Sequence, residues 1–212
     1  MSSVSTRTYR SELRAQQAQG TRRRIIEASA ALFATKGYQA TTIAAIARSA
    51  GVSAETVKAA ASKAELLISA FEVTFSGSEG AASLTETEVI AGVLDLPDDT
   101  FLDTVLTQVA AANARAHALW TVLLGAALSD AVVDDALQGM LKRRAADLIQ
   151  LVTVLVDRGI AAPTVDVEGR AAVLSFLLSP EAYQQLVAQS GWSPERYGRW
   201  LRDAVAEELG KG

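Results

Sequence analysis

Residues 21–57, TRRRIIEASAALFATKGYQATTIAAIARSAGVSAETV, hold three helix signals in succession. From Thr21 to Lys36 apolar side chains recur at Ile25, Ile26, Ala30, Leu32 and Phe33, the spacing of an amphipathic helix. Lys36-Gly37 ends it, a cation in the last turn followed by a residue free to turn left-handed. Thr41 or Thr42 then caps a short helix whose stripe is Ile43, Ile46, Ala47 and Ala50. Gly51 stops that helix and Ser53 caps another almost at once. Two short helices joined by a tight Gly-containing turn read as a helix-turn-helix, in which the first crosses the phosphate backbone and the second enters the major groove. Val52 and Val57 are the expected buried struts, leaving Ala54, Glu55, Lys58 and Ala59 outward. Ser62-Lys63-Ala64-Glu65 has the form of a capping box and starts a further helix through Leu66, Leu67, Ala70, Phe71 and Thr74, closed by Gly77 and Gly80.

Composition narrows the chemistry around this head. The 212 residues include 40 alanines, no cysteine and the single histidine His117. Disulfides, thiolate metal sites, cysteine nucleophiles and multi-histidine zinc sites are excluded, so no metal, no cofactor and no enzymatic activity are expected. The acids Asp134, Asp135 and Asp147 offer carboxylates for an enzyme, but acids on a helical face are usually solvated. Alanine is the strongest helix former and only 6% of residues are aromatic, which points to an all-α protein. Residues 1–24 are polar and arginine-rich, without the apolar centre of a signal peptide, and the apolar runs 119–128 and 148–156 are too short to span a bilayer. A cytoplasmic protein without membrane contact is expected. The net charge of −4 is divided: residues 1–63 hold ten Lys/Arg against three acids, a net +7, and residues 64–212 ten against 21, a net −11. A basic head on an acidic body suggests that the head meets a polyanion, although a solvated basic surface would look the same.

The run Ala30, Leu32, Phe33, Gly37, Tyr38, the T-T-I-A-A-I-A string from Thr41 and the A-G-V-S-A-E-T-V turn from Ala50 strongly resemble the DNA-binding domain of TetR-family transcriptional regulators. Near the other end, S-G-W-S-P-E-R-Y-G-R-W-L, residues 190–201, resembles a family ending. The resemblance implies a basic arm over 1–20, a helix-turn-helix DNA-binding domain over 21–77 with three helices, and a helical bundle over 78–212 for ligand binding and dimerisation. It implies DNA contacts at Arg22, Thr41, Thr42, Ser53, Ala54, Thr56, Lys58 and Lys63. Exposed hydroxyls and ammoniums suit phosphates, and Ala54 suits a thymine methyl. Each hydroxyl also fits a plain capping role. Arg7, Arg10, Arg14 and the Arg22 to Arg24 cluster suit phosphates or a minor groove, or for the first of them a disordered solubilising tail.

The resemblance breaks after Val57, where the family keeps a tyrosine and a phenylalanine and this chain reads Lys58-Ala59-Ala60-Ala61, apparently one residue short. Either Lys58 takes over the phosphate contact, or the alanines loosen the packing behind the recognition helix unless the deletion closes the gap.

In the body, Thr85-Glu86-Thr87-Glu88 is a possible capping box, Pro97-Asp98-Asp99 a helix start, and long apolar periodicities run over 101–124 and 129–159. Ser179-Pro180-Glu181 and Ser193-Pro194-Glu195 each combine an N-cap, a proline at the first helical position and an acid at the positive dipole end. The dimer surface is expected at Leu177, Tyr183, Leu186, Tyr197, Trp200 and Leu201, which would equally serve as an intrachain core. A ligand pocket is expected among Phe101, Asn113, His117, Trp120, Met140 and Phe176. The resulting expectation is a homodimeric repressor on double-stranded operator DNA, released by an unidentified small-molecule effector. The alternative is a relative whose degenerate recognition helix no longer reads a specific sequence, leaving a helical ligand- or protein-binding module.

Overall fold

The computed structural model describes residues 3–81 and 92–210, and the side chains of 16–81, 92–93 and 95–210. Arg7, Arg10 and Arg14, as side chains, and the Thr85–Glu88 capping box lie outside the described residues. Among the described residues the fold is all-α.

Helix α1 (Ser3–Ala40) begins well before Thr21 and is broken at Gly37, whose φ of 75° and ψ of 177° belong to a region that only glycine occupies at low cost. Helix α2 (Ile43–Ala50) is capped by Thr42, whose hydroxyl accepts from the Ala45 amide at 3.1 Å. Gly51, at φ 66°, terminates it and makes the tight turn into α3 (Ala54–Ala60), capped by Ser53. Helix α4 (Lys63–Ser76) has the full capping box: the Glu65 amide donates to Ser62 Oγ at 3.2 Å, and the Ser62 amide donates to Glu65 Oε2 at 2.7 Å. The three helices of the helix-turn-helix domain are thus followed by the fourth that the capping box announces, and α4 packs on α1 as well as on the body.

A single 3₁₀ turn (Val93–Asp95) precedes α5 (Asp98–Ala127), which forms a long antiparallel hairpin with α6 (Ala131–Asp157). Helices α7 (Val167–Leu177), α8 (Pro180–Tyr183) and α9 (Pro194–Glu208) close the body, and α8 widens into a π turn at Gln184–Gln189. Both Ser-Pro-Glu signals hold, with Ser179 accepting from the Ala182 amide and Ser193 from the Arg196 amide.

Two apolar cores organise the chain. One joins Phe33, Ile46, Val57 and Leu66 of the head to Trp120 and Leu123 of α5 and Val133 of α6, so the head is fused to the hairpin rather than hung from it. The other holds Phe101, Val152, Leu155, Leu174, Tyr197 and Leu201. The second core corrects the expected dimer surface. Leu177, Tyr183, Tyr197 and Leu201 are buried inside one chain, Tyr183 and Tyr197 edge to face at 5.1 Å, because α9 turns its aromatic side inward. Of the expected set Leu186 and Trp200 remain partly exposed.

Candidate nucleic-acid interface and body cavity

Thr42, Ser53, Thr56 and Lys58 are exposed and Ala54 is half-buried, so α2 and α3 present one small polar surface. Ser53 Oγ accepts from the Thr56 amide at 3.1 Å and lies 3.0 Å from Thr56 Oγ1, which fixes both hydroxyls while leaving them open to solvent. Glu55 adds a carboxylate to the same helix, its acidity strengthened by hydrogen bonds from its own backbone amide and from Ser53. Arg48, in the last turn of α2, and Arg23 and Arg24 of α1 extend the exposed cations beyond the residues expected from the motif.

Two expected contacts are corrected. Thr41 is wholly buried: its hydroxyl donates to the Gly37 carbonyl at 2.8 Å and replaces the helical continuity that Gly37 interrupts. Arg22 is turned onto the protein. Its guanidinium donates to Glu79 at 3.0 and 2.6 Å and to the Ala60 carbonyl at 3.0 Å, tying the end of α3 to α1 and to the segment after α4. Ser69 donates to the same Glu79 carboxylate at 2.7 Å. The Arg22 hydrogen bond holds the Glu79 carboxyl below the usual carboxylate range against the opposing effect of its burial. This tie lies at the Lys58-Ala59-Ala60-Ala61 stretch that follows Val57. Ala61 is buried and Ala60 packs against the head core.

Lys63 is half-buried, with its ammonium 4.3 Å from the centre of the Tyr38 ring. Tyr38 in turn donates its hydroxyl to Asp130 Oδ2 at 2.6 Å, and Asp130 caps α6 by accepting from the Val132 and Val133 amides. The Tyr38 hydrogen bond is the main cause holding the Asp130 carboxyl below its ordinary value. Burial, followed by the Asp130 contact, pushes the Tyr38 hydroxyl up. A latch thus joins the head, three residues before Thr41, to the first turn of α6. The sequence offers Tyr38 as a motif residue but gives no sign of its partner across 92 positions.

Further along α6 the body opens into a cavity of about 190 Å³ between α4, α5 and α6. Of the residues expected at a ligand pocket, Phe101, Trp120 and Met140 line it. Three other expected residues do not. Asn113 is wholly buried, with its amide nitrogen donating to the Leu178 carbonyl at 3.0 Å. His117 Nδ1 hydrogen-bonds Gln184 Oε1, and its ring lies 5.3 Å from that of Tyr183. Phe176 is 63% exposed on the outside of α7. Helical order alone could not tell which face of α5 turns toward α8. Arg144 also lines the cavity and was missed, although a cation within the Met140, Leu148, Leu151 stripe is the kind of interruption that marks a polar group in an apolar wall.

A helix-turn-helix head is thus fused to a helical body that carries a cavity. Residues 25–70 match the sequence model of the family described as bacterial regulatory proteins, tetR family. Over those residues the head matches that family's DNA-binding domain. No curated protein matches it in sequence. Its fold is shared with solved structures. A proposed transcriptional regulator from Pseudomonas aeruginosa PAO1 aligns at TM-score 0.67 and 20% identity, covering 89% of this chain and 90% of that one. A proposed TetR-family regulator from Mesorhizobium loti MAFF303099 aligns at 0.63 and 21%, covering 91% and 96%. Another from a Rhodococcus species aligns at 0.60 and 16%, covering 90% and 99%. Among the described residues no helix is long and apolar enough to cross a membrane.

Proposed function

We propose that this chain is a cytoplasmic, homodimeric, non-enzymatic repressor that leaves its operator when a small molecule enters the body. The observation that supports this best is the position of α6. Its first turn is latched to Tyr38 by Asp130, and its later turns form one wall of the cavity. A guest that shifts α6 moves the latch and with it the spacing between the two heads of a dimer. A coupling of about 1 to 3 kcal/mol is typical of such switches.

DNA contact falls to Thr42, Ser53, Ala54, Thr56 and Lys58, with Lys63 beside them on Tyr38. Fluorescence anisotropy on a duplex taken from upstream of the chain's own gene tests this. Affinity should fall steeply with salt, and Lys58→Ala should lower the log-log salt slope by about one. A shuffled duplex bound equally well at every salt concentration would instead support the module that no longer reads sequence.

The dimer surface in this reading lies on α7, where Val173 and Phe176 are exposed at 42% and 63%, and reaches the partly exposed Trp200 of α9. Large apolar side chains at such exposure are the usual material of an interface centre. Sedimentation should show a dimer at micromolar concentration for the wild type and a monomer for Phe176→Asp. An unchanged dimer in the variant would place the interface elsewhere.

A further inference from the structure

We propose that the body cavity takes a small, elongated amphipathic anion whose charged group is held by Arg144 and whose apolar chain lies along α6. The proposal rests on the effector reading above and names the class of effector.

Size and shape come first. The cavity, about 190 Å³, falls short of the about 300 Å³ at which drug-sized pockets begin, so its guest is small. Its wall follows α6 from Met140 to Val154, a run of about 21 Å at the helical rise of about 1.5 Å per residue, so the guest is long rather than round. Phe71, Phe75, Val105 and Leu151 make most of that wall apolar.

The charge comes from Arg144. It is half-buried and lines the cavity, and its Nη2 donates to the Ser175 carbonyl at 2.5 Å. Among the described residues no ion pair reaches it, and Glu181 and Tyr197 act on it only through space. Desolvation pushes its guanidinium down from the ordinary value, yet arginine stays cationic at neutral pH. A desolvated cation without an ion-pair partner is costly, and an anion in the cavity would relieve that cost. Arg143 and the carboxylates of Glu72 and Asp147 also line the cavity; Glu72 accepts from the Gly80 amide at 2.9 Å, Asp147 has a partner of its own, and neither forms an ion pair with Arg144 at 4.0 Å or less among those described.

A second group points the same way. Trp120 is 4% exposed, lines the cavity, and its indole N–H finds no acceptor among the described residues. Indole is a donor only, so an acceptor carried into this wall would pair a group that is otherwise unpaired among the described residues. A carboxylate or sulfonate headgroup on a short alkyl chain supplies the anion for Arg144 and the apolar body for the rest of the wall.

Calorimetric titration of the full chain with decanoate, decanol and decyltrimethylammonium, each below its micellar range, tests the proposal. Decanoate should bind roughly tenfold or more tightly than decanol, and the ammonium weakest. Arg144→Gln should lower decanoate affinity roughly tenfold while leaving decanol unchanged, and Arg144→Lys should recover part of the loss, with the melting temperature confirming that each variant is folded. Equal binding of decanoate and decanol, preference for the ammonium, no binding at all, or a folded Arg144→Gln that binds decanoate like the wild type would overturn it. The same samples on operator DNA separate this from the effector reading. Decanoate that binds but leaves DNA bound refutes the release mechanism alone. Release by some other, uncharged compound with no decanoate binding refutes the ligand class alone.

Discussion

Phe33→Ala is expected to cost about 3 to 5 kcal/mol of stability and to lower the melting temperature by roughly 10 °C. Phe33 is wholly buried at the centre of the head core, and its ring stacks on Tyr38 at 5.9 Å. Its removal leaves a cavity where α1 supports α2 and α4, and the neighbours are helix-bound and capped, which limits how far they can collapse. Because the head core continues into α5 through Trp120 and Leu123, calorimetry should show one transition moving down rather than a separate head transition appearing. A loss below about 1 kcal/mol would mean that the head is not packed around this ring.

Asp130→Ala should cost about 2 kcal/mol and, more tellingly, disconnect the body from the head. About half of that is the lost N-cap of α6 and the rest the hydrogen bond from Tyr38, both facing partly toward solvent. Asparagine caps a helix as well as aspartate does, so Asp130→Asn should restore the cap and leave mainly the loss of the charged contact with Tyr38 and Lys63. In both variants DNA affinity should persist while its response to an effector shrinks. The pH dependence has a definite sign. Asp130 is held below its ordinary value, so its contribution is complete above about pH 4 and is lost as pH falls through the lowered native value. The wild-type advantage over Asp130→Ala, read from urea unfolding midpoints, should therefore be full at neutral pH and shrink toward pH 3. An advantage that grew on acidification would contradict the latch.

Local signals carried most of the fold. Thr42, Ser53, Ser62, Ser179 and Ser193 are each followed by the helix that their capping chemistry announces, and Gly51 and Gly77 stop helices where expected. Such signals act over three or four residues and need no tertiary knowledge. What the sequence did not disclose is which long-range partner each polar group finds. Arg22 was readable as one of three exposed arginines, but only the folded chain shows it turned onto Glu79 and Ala60. Thr41 and Thr42 are equivalent as adjacent hydroxyls, and the break at Gly37 decides which is buried. The body pocket was half legible for the same reason. Phe101, Trp120 and Met140 lie on the inward stripes of their helices, whereas Phe176, a phenylalanine like Phe101, faces out.

The central claim is that α2 and α3 of a symmetric pair read a specific duplex despite the alanines after Val57. Selection from a random duplex library with the full chain, at near-physiological salt, tests it most directly. An inverted repeat should be enriched, with half-site centres about 34 to 36 Å apart or at a whole number of further turns. A library that stays random through repeated rounds, while the protein remains folded and binds every duplex alike, would contradict it.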